Sequence, residues 1–236
     1  GPNGDRLRIA GTAELNGYDR DLNAVRCEAI VRRVEQLFPG AGDTTQAQFW
    51  TGLRPATPSN VPIIGRSKLL DGNRLALMTQ AAEALQTVHE AGFIHRDICP
   101  RNFVCTKDAT SLKLIDFGLT VPARKEFQQP GIRTGTPNYM APEVVRRKPT
   151  DHRLDIFAFG VSMYEMFSFE LPWQRGSGDG LAAMGNGQSV PTPIEKHCPK
   201  IHPAIRDAIH KCLEPEADKR FQSMKLLLNA IRSAKS

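Results

Sequence analysis

Apolar side chains in the first part of the chain recur every three to four residues, which is the spacing of an amphipathic helix. Asp21 is of a residue type that caps helices and Pro39-Gly40 breaks the pattern, so a helix is predicted between them. A strand is predicted before it at residues 6–13, and several prolines predict extended or turn structure at 49–62. The apolar stripe of the helix consists of Leu22, Val25, Ile30, Val31, Val34 and Leu37.

Longer helical patterns follow in the rest of the chain. A second amphipathic helix is predicted at about residues 73–90, and Gly92 is a natural stop for it. Residues 155–167 are apolar nearly all round, which is typical of a buried helix. Two more amphipathic helices are predicted at about 203–213 and 223–233.

Two short apolar runs between these helices predict a hairpin. Residues 103–105 and 112–115 flank a polar turn at 107–110. The predicted fold class is therefore α+β, mainly helical with a short β-hairpin, and a small α/β fragment precedes this part.

Composition excludes several classes of protein. The net charge of +6 comes from scattered lysines and arginines without a run of five like charges, so we expect a solvated surface and no nucleic-acid partner. Five cysteines without a CxxC pair predict neither a disulfide framework nor a zinc site and suit a reducing compartment. The longest apolar stretch, 156–167, contains Glu165 and is too short to span a bilayer, and no signal peptide opens the chain. We expect a cytoplasmic protein without a membrane partner.

Three motifs lie in order in the middle of the chain. His95-Arg96-Asp97 is followed after four further residues by Asn102. Asp116-Phe117-Gly118 comes after the second predicted strand, and Ala141-Pro142-Glu143 comes later. In this order and context they resemble the catalytic loop and the two ends of the activation segment of a serine/threonine protein kinase. The resemblance covers the chain from about residue 69 onward, which corresponds to the C-terminal lobe of that fold.

The kinase resemblance implies a phosphoryl transfer that uses ATP and Mg²⁺, with a protein hydroxyl as acceptor. It implies that Asp97 accepts the proton of that hydroxyl, and that Asn102 and Asp116 are hard oxygen ligands of Mg²⁺. Val104 matches the apolar residue under the adenine ring; a plain strand-core position is the other interpretation, and both can hold. Arg96 matches the arginine that contacts a phosphorylated activation segment.

Other positions match parts that support the kinase site. Thr134 is a candidate phosphorylation site, with an unmodified loop threonine as the alternative. Thr136 matches the threonine of Gly-Thr-x-x-Tyr-x-Ala-Pro-Glu and is expected to bond near Asp97. Structural roles are implied for His95, for Asp155 as the anchor of the catalytic-loop backbone, and for Glu143 and Arg220 as a buried ion pair.

The chain departs from the kinase pattern at two points, and the second of them predicts weakened catalysis. The lysine usual two residues after the catalytic aspartate is replaced by Cys99. Arg101, four residues after Asp97 as in some tyrosine kinases, is the candidate substitute and is counted among the catalytic residues. Residues ahead of the helix at 73 contain neither G-x-G-x-x-G nor a V-A-I-K-like strand, on which kinases depend to hold the nucleotide. The glycine-rich stretch 176–180 lies far downstream and is typical of a flexible connector.

Residues from about 5 to 66 resemble a stretch of FAD-dependent D-amino-acid dehydrogenases instead. In that family the arginine at the position of Arg54 lies near the substrate and binds its carboxylate, as a guanidinium fork can. A bond from Arg54 to local loop carbonyls is the alternative. The fingerprint that holds FAD is missing, so we expect neither FAD binding nor dehydrogenase activity. The matching segments are 8–14, 37–40, 50–55, 57–58 and 62–65.

The chain is interpreted as a chimera of a dehydrogenase-like fragment, 1–67, and a kinase C-lobe without its N-lobe, 68–236. Three functions stay open. The first is an ATP-dependent serine/threonine protein kinase. The second is a non-catalytic kinase-lobe module that binds a partner, or an artificial fusion, and the third is a dehydrogenase fragment without activity. A cleft face without its covering lobe exposes apolar surface, so self-association is also expected.

Overall fold

The computed structural model describes residues 21–40, 42–49, 68–129, 134–173 and 190–232, with the backbone alone at 68–72. The chain divides into two units, Gly1–Val61 with Asp116–Gly118, and Pro62–Ile115 with Leu119–Ser236. The strand predicted at 6–13 and most of the proline-rich segment lie outside the described residues. The predicted junction near residue 67 stays a prediction.

The first unit contains helix α1, Ala24–Leu37. The prediction that Asp21 caps this helix is wrong, because the side chain of Asn23 accepts the N–H of Arg26 at 3.2 Å. Asn23 immediately precedes the first helical residue, which is where a capping side chain must sit. The predicted end at Pro39-Gly40 is confirmed, since the chain turns there with a φ of 73° at Gly40. None of the residues of α1, all of which are described, is buried.

The second unit is mainly helical, as predicted. The helix expected at about 73–90 is α2, which begins five residues earlier and ends at the predicted residue. Gly92 follows it with a φ of 81°, a conformation that glycine adopts without strain. The helices of this unit are α2 Lys68–Glu90, α3 Pro142–Val145, α4 Arg153–Ser168, α5 Pro203–Cys212 and α6 Met224–Arg232.

Two small antiparallel sheets flank the loop that carries the first motif. The predicted hairpin is confirmed, with Phe103 opposite Leu114. The second sheet was not predicted, because its strands have two residues each and so no alternation to detect. The loop thus leaves one sheet and enters the other. The strands are β1 Phe93–Ile94, β2 Phe103–Cys105, β3 Leu112–Leu114 and β4 Val121–Pro122, paired β1 with β4 and β2 with β3.

Helix α4 forms the centre of the core. Every residue from Leu154 to Glu165 is buried, as the apolar pattern predicts. The helix packs against α2 and α5, and α6 covers both of those helices. The contact with α5 is close: a Cβ atom added to Gly160 would lie 2.4 Å from the Cβ atom of Cys212, so only glycine fits there.

The α+β class is therefore confirmed. In the described parts of the chain, no helix combines the length and apolar character that crossing a membrane requires.

Candidate active site

The carboxylate of Asp97 lies in the loop between β1 and β2 and accepts four hydrogen bonds. Its Oδ1 atom accepts the backbone N–H of Thr136 at 2.9 Å and the hydroxyl of the same residue at 2.6 Å. Its Oδ2 atom accepts Nη2 of Arg101 and Nδ2 of Asn102, each at 3.2 Å. Asp97 is 8% exposed, so these contacts form largely away from water. The structure thus brings four of the predicted site residues together.

These contacts keep Asp97 in its ionised form. Burial favours the neutral acid, but the hydrogen bond from Thr136, the charge and hydrogen bond of Arg101 and the hydrogen bond from Asn102 favour the carboxylate. The second group of effects is larger, and the pKa of Asp97 lies below its ordinary value. At neutral pH this side chain is therefore a carboxylate that can accept a proton.

Asn102 is placed by a short 3-10 turn, Pro100–Asn102, that ends the loop. Its Nδ2 atom also donates to the backbone carbonyl of Asp97 at 2.6 Å. Because both of these hydrogen bonds use the nitrogen, the Oδ1 atom is the one suited to a cation. An amide oxygen is a hard donor of the kind that Mg²⁺ prefers.

Asp155 anchors the loop backbone from the first turn of α4. This fully buried carboxylate accepts the N–H groups of His95 and Arg96, each at 2.8 Å. The backbone of Arg96 has a φ of 69°, which is uncommon for a residue with a side chain, and these bonds hold it there. The imidazole of His95 accepts the N–H of Asp97 at 3.3 Å and so extends the anchor to the next residue.

His89 is a member of the site that the sequence did not indicate. It lies in the last turn of α2, and its Nε2 atom is 2.9 Å from Oδ2 of Asp155. The two residues are 66 positions apart, and His89 belongs to no motif, so a search for local patterns passes over it. The contact gives the buried carboxylate a third polar neighbour. Polar partners of this kind offset the cost of burying a carboxylate.

Arg101 and Cys99 both approach the hydroxyl of Thr136. The guanidinium of Arg101 donates to it at 2.6 Å, and it is 3.7 Å from the sulfur of Cys99. Burial, and next the negative charge of Asp97, raise the pKa of the Cys99 thiol to about 11, so it carries no charge at neutral pH. The cation at this point of the site is therefore Arg101.

Two further predicted contacts lie on the activation segment. Arg96 donates from Nη2 to the hydroxyl of Thr134 at 2.6 Å. Glu143 forms a two-bonded ion pair with Arg220, at 2.7 and 2.8 Å, and Arg220 is 2% exposed. The first contact joins the catalytic loop to the segment, and the second joins the end of the segment to the lobe.

Three further predicted residues remain, Val104, Asp116 and Arg54. Val104 lies on β2 and is 50% exposed, so its strand-core alternative is wrong. Asp116 belongs to the first unit, where it has a φ of 63° and accepts the N–H of Gly118 at 3.4 Å. Arg54 lies outside the described residues, and its predicted role stays a prediction.

Thiol reactivity offers a test of the site's burial. We expect iodoacetamide at about pH 8 to label the exposed Cys105 of the native protein and to leave Cys99 and Cys212 unlabelled. Burial raises the pKa of Cys212 to about 12, so both protected thiols are neutral and covered. Mass spectrometry after digestion gives the extent of labelling, and all three should react in denaturant. Labelling of native Cys99 at the rate of Cys105 would contradict this packing.

Comparison with known proteins gives two families. The profile of the protein kinase domain matches residues 63–230, and that of the FAD dependent oxidoreductases matches residues 2–94. The two matches overlap at 63–94. The chain therefore joins sequences similar to two different families, which is the pattern of a chimera.

Individual relatives agree with this division. Serine/threonine-protein kinase pkn2 of Myxococcus xanthus is 30% identical over 236 residues, 96% of this chain and 28% of that protein. Pkn1 of the same organism is 31% identical over 173 residues, 70% of this chain and 24% of its own length. A D-amino acid dehydrogenase of Dechloromonas aromatica is 58% identical over 65 residues, 28% of this chain and 16% of that enzyme. The chain thus spans less than a third of each relative.

Proposed function

Because the chain belongs to the protein kinase family, we propose that residues 68–236 act as the catalytic lobe of a serine/threonine protein kinase. The reaction would move the γ-phosphoryl group of ATP to a hydroxyl group of a protein. The observation that carries this proposal is the carboxylate of Asp97, which is ionised, nearly buried and held on both oxygens. The loop that presents it is fastened to the core through Asp155.

In the proposed reaction, Asp97 receives the proton of the acceptor hydroxyl as that oxygen attacks the γ-phosphorus. The new O–P bond forms while the bond from the γ-phosphorus to the bridging oxygen breaks, and ADP leaves. Thr136 fixes Oδ1 of Asp97 through two short bonds, so the base has a defined direction. Thr136 is the residue that the serine/threonine kinase pattern carries at this position, which supports an aliphatic hydroxyl as the acceptor.

Arg101 would steady the transferred phosphate in place of the lysine that this loop lacks. Its side chain is 41% exposed, so it can turn from Asp97 toward a phosphate without leaving a buried pocket. That movement would remove one of the two donors to Oδ2 of Asp97 and leave Asn102 as the other. The arrival of phosphate and the loss of that bond to the base would then be coupled.

The nucleotide and its metal ion would use three further predicted residues. Asn102 and Asp116 offer the oxygen atoms expected to hold Mg²⁺, which takes its other ligands from water and the phosphates. When bound, the ion would neutralise the negative charge of the phosphates. The exposed apolar side chain of Val104 would contact the adenine ring. Phosphorylation of Thr134, whose hydroxyl contacts Arg96, would fix the activation segment.

We expect slow turnover, because residues 1–67 contain neither a glycine-rich loop nor a strand lysine for the phosphates. Transfer of labelled γ-phosphate from ATP to a generic acceptor protein should proceed orders of magnitude below the roughly 1–100 s⁻¹ of kinases. Asp97→Asn should abolish the residual transfer. Asp108→Asn, the same change on an exposed turn, should leave it intact. A normal rate would refute the impairment, and transfer that survives Asp97→Asn would refute the assigned base.

The second candidate is a lobe that folds and binds a partner without turnover. Its observation is the exposed apolar surface of Val104, Ile115 and Leu119, whose side chains are individually 50%, 40% and 37% exposed. The same surface supports the proposed self-association, because exposed apolar area favours contact between copies. Thermal unfolding with and without Mg-ATP separates the two candidates. A cooperative transition whose midpoint temperature does not rise with Mg-ATP favours the binding module.

We propose that residues 1–67, the dehydrogenase-like part, are a fragment without dehydrogenase activity. The proposed junction near residue 67 lies within the overlap of the two family matches, 63–94. A yellow flavin spectrum of the purified protein would contradict the expectation that FAD does not bind.

A further inference from the structure

The outer edge of strand β3 is held by a side chain of helix α2. Across the described ranges, β3 pairs with β2 along one edge, and no strand lies along its other edge. Gln80 takes that place. Its Oε1 atom accepts the N–H of Leu112 at 2.9 Å, and its Nε2 atom donates to the carbonyl of Thr110 at 2.9 Å. One side-chain amide thus supplies the donor and the acceptor that a neighbouring strand would offer.

This pair of hydrogen bonds fixes the position of β3 along its own axis. Leu112 and Leu114 pack against the core and are partly buried, but apolar contacts have no preferred direction. The half-buried amide of Gln80 loses both bonds if β3 slides by one residue. A two-stranded hairpin is only marginally stable by itself, so a fixed point of this kind decides where its residues lie.

The strand that Gln80 holds leads to the backbone of Asn102. Ile115, the residue after β3, donates its N–H to the carbonyl of Asn102 at 2.8 Å. The side chain of Asn102 is tied to Asp97 through its Nδ2 atom. With the nitrogen used in this way, the direction of the Oδ1 atom depends on where the backbone of Asn102 is held.

We propose that Gln80 is a positioning residue for Asn102, on which it acts through β3. The inference rests on the proposed function, in which the oxygen of Asn102 is offered to Mg²⁺. It extends that function to a residue of α2 that lies outside all three motifs. The competing interpretation is that Gln80 only covers a strand edge, because Phe103 already anchors β2 by an edge-to-face contact with Phe159, with ring centroids 6.4 Å apart.

Two matched variants of the full chain distinguish these interpretations. Gln80→Met keeps nearly the length of the side chain and removes both hydrogen bonds. Gln86→Met makes the same change on the same helix, at a glutamine that bonds Glu90 within α2 and does not reach the hairpin. The readout is the hydrogen exchange of single backbone amides, followed by NMR, and it requires neither nucleotide nor metal.

In Gln80→Met, the amides of Leu112 and Ile115 should both exchange about tenfold faster, as expected for the loss of about one hydrogen bond. The amide of Phe159 in the middle of α4 should be unchanged, and Gln86→Met should leave all three unchanged. Unchanged exchange at Ile115 would overturn the proposal, because the effect of Gln80 would then end at the strand edge. Equal acceleration at Phe159 would overturn it too, because the loss would be one of global stability.

Gln80→Glu adds a rescue that depends on pH. The ionised side chain still accepts the N–H of Leu112, but its second oxygen faces the carbonyl of Thr110 and repels it. The protonated acid is both donor and acceptor, as the amide is, so it restores both bonds. The protection of the Ile115 amide, corrected for its intrinsic exchange rate, should therefore rise in Gln80→Glu as the pH falls through the pKa of the new carboxyl group. Protection that does not follow pH in this way would contradict the proposal.

Thermal unfolding with Mg²⁺ and ATP separates this inference from the proposed function. The rise of the midpoint temperature in the unchanged chain should be smaller in Gln80→Met and fully kept in Gln86→Met. An equal rise in Gln80→Met would overturn the link from Gln80 to the metal ligand. A complete absence of any rise in the unchanged chain would count against the proposed function, and the exchange of the Ile115 amide would then decide the positioning role by itself.

Discussion

Replacing Arg220 with alanine is expected to lower the free energy of unfolding of the second unit by about 3–5 kcal/mol. The guanidinium is almost fully buried and binds both oxygens of Glu143. It also donates to three backbone carbonyls, those of Glu214, Pro215 and Arg153. The variant would leave a carboxylate and three carbonyls without their donor, and desolvated acceptors of this kind carry most of the cost.

The measurement is chemical denaturation followed by circular dichroism, with Arg206→Ala as the control. Arg206 makes ion pairs to Asp207 and Glu195 at the surface, so its loss should cost less than about 1 kcal/mol. A double variant, Glu143→Leu with Arg220→Met, should recover much of the lost stability, because it removes the charge and its partner together. A loss below about 1 kcal/mol for Arg220→Ala would show that the pair does not hold the activation segment to the lobe.

Gly160→Val is expected to destabilise the same unit by about 2–3 kcal/mol through overpacking. The first atom of any side chain at this position overlaps the Cβ atom of Cys212, and the next neighbours are the Cys212 carbonyl carbon and the Leu213 side chain, both at 3.4 Å. The two helices would have to separate. A loss of stability would be informative, because replacing a glycine inside a helix normally stabilises the helix.

A double-mutant cycle tests the cause of that loss. Cys212→Gly removes the atom that Gly160→Val would strike, so the combined variant should be more stable than the sum of the two single effects predicts. We expect a coupling of about 1–3 kcal/mol from urea denaturation of the four proteins. Additive effects would mean that the helices are not in the contact described here.

The sequence predicts the helices well because their apolar patterns are long. The hairpin and the residues that surround Asp97 also follow from motifs with fixed spacing. Asn23 shows a limit of prediction from the sequence. Asp21 and Asn23 are both of types that cap helices, and only the backbone conformation decides which of them caps α1. His89 shows a different limit, since its contact with Asp155 depends on how α2 packs beside α4.

The anchoring of the catalytic loop by Asp155 has a consequence for how the protein acquires its active site. The two backbone bonds span 60 and 59 residues, so the loop cannot take its working shape from local sequence. Closing a loop of that length costs conformational entropy, and the burial of helix α4 helps to offset that cost. On the ribosome, Asp97, the proposed base, emerges well before Asp155. The candidate site is therefore assembled late, and a nascent chain that has not yet docked α4 has the residues of that site without their geometry.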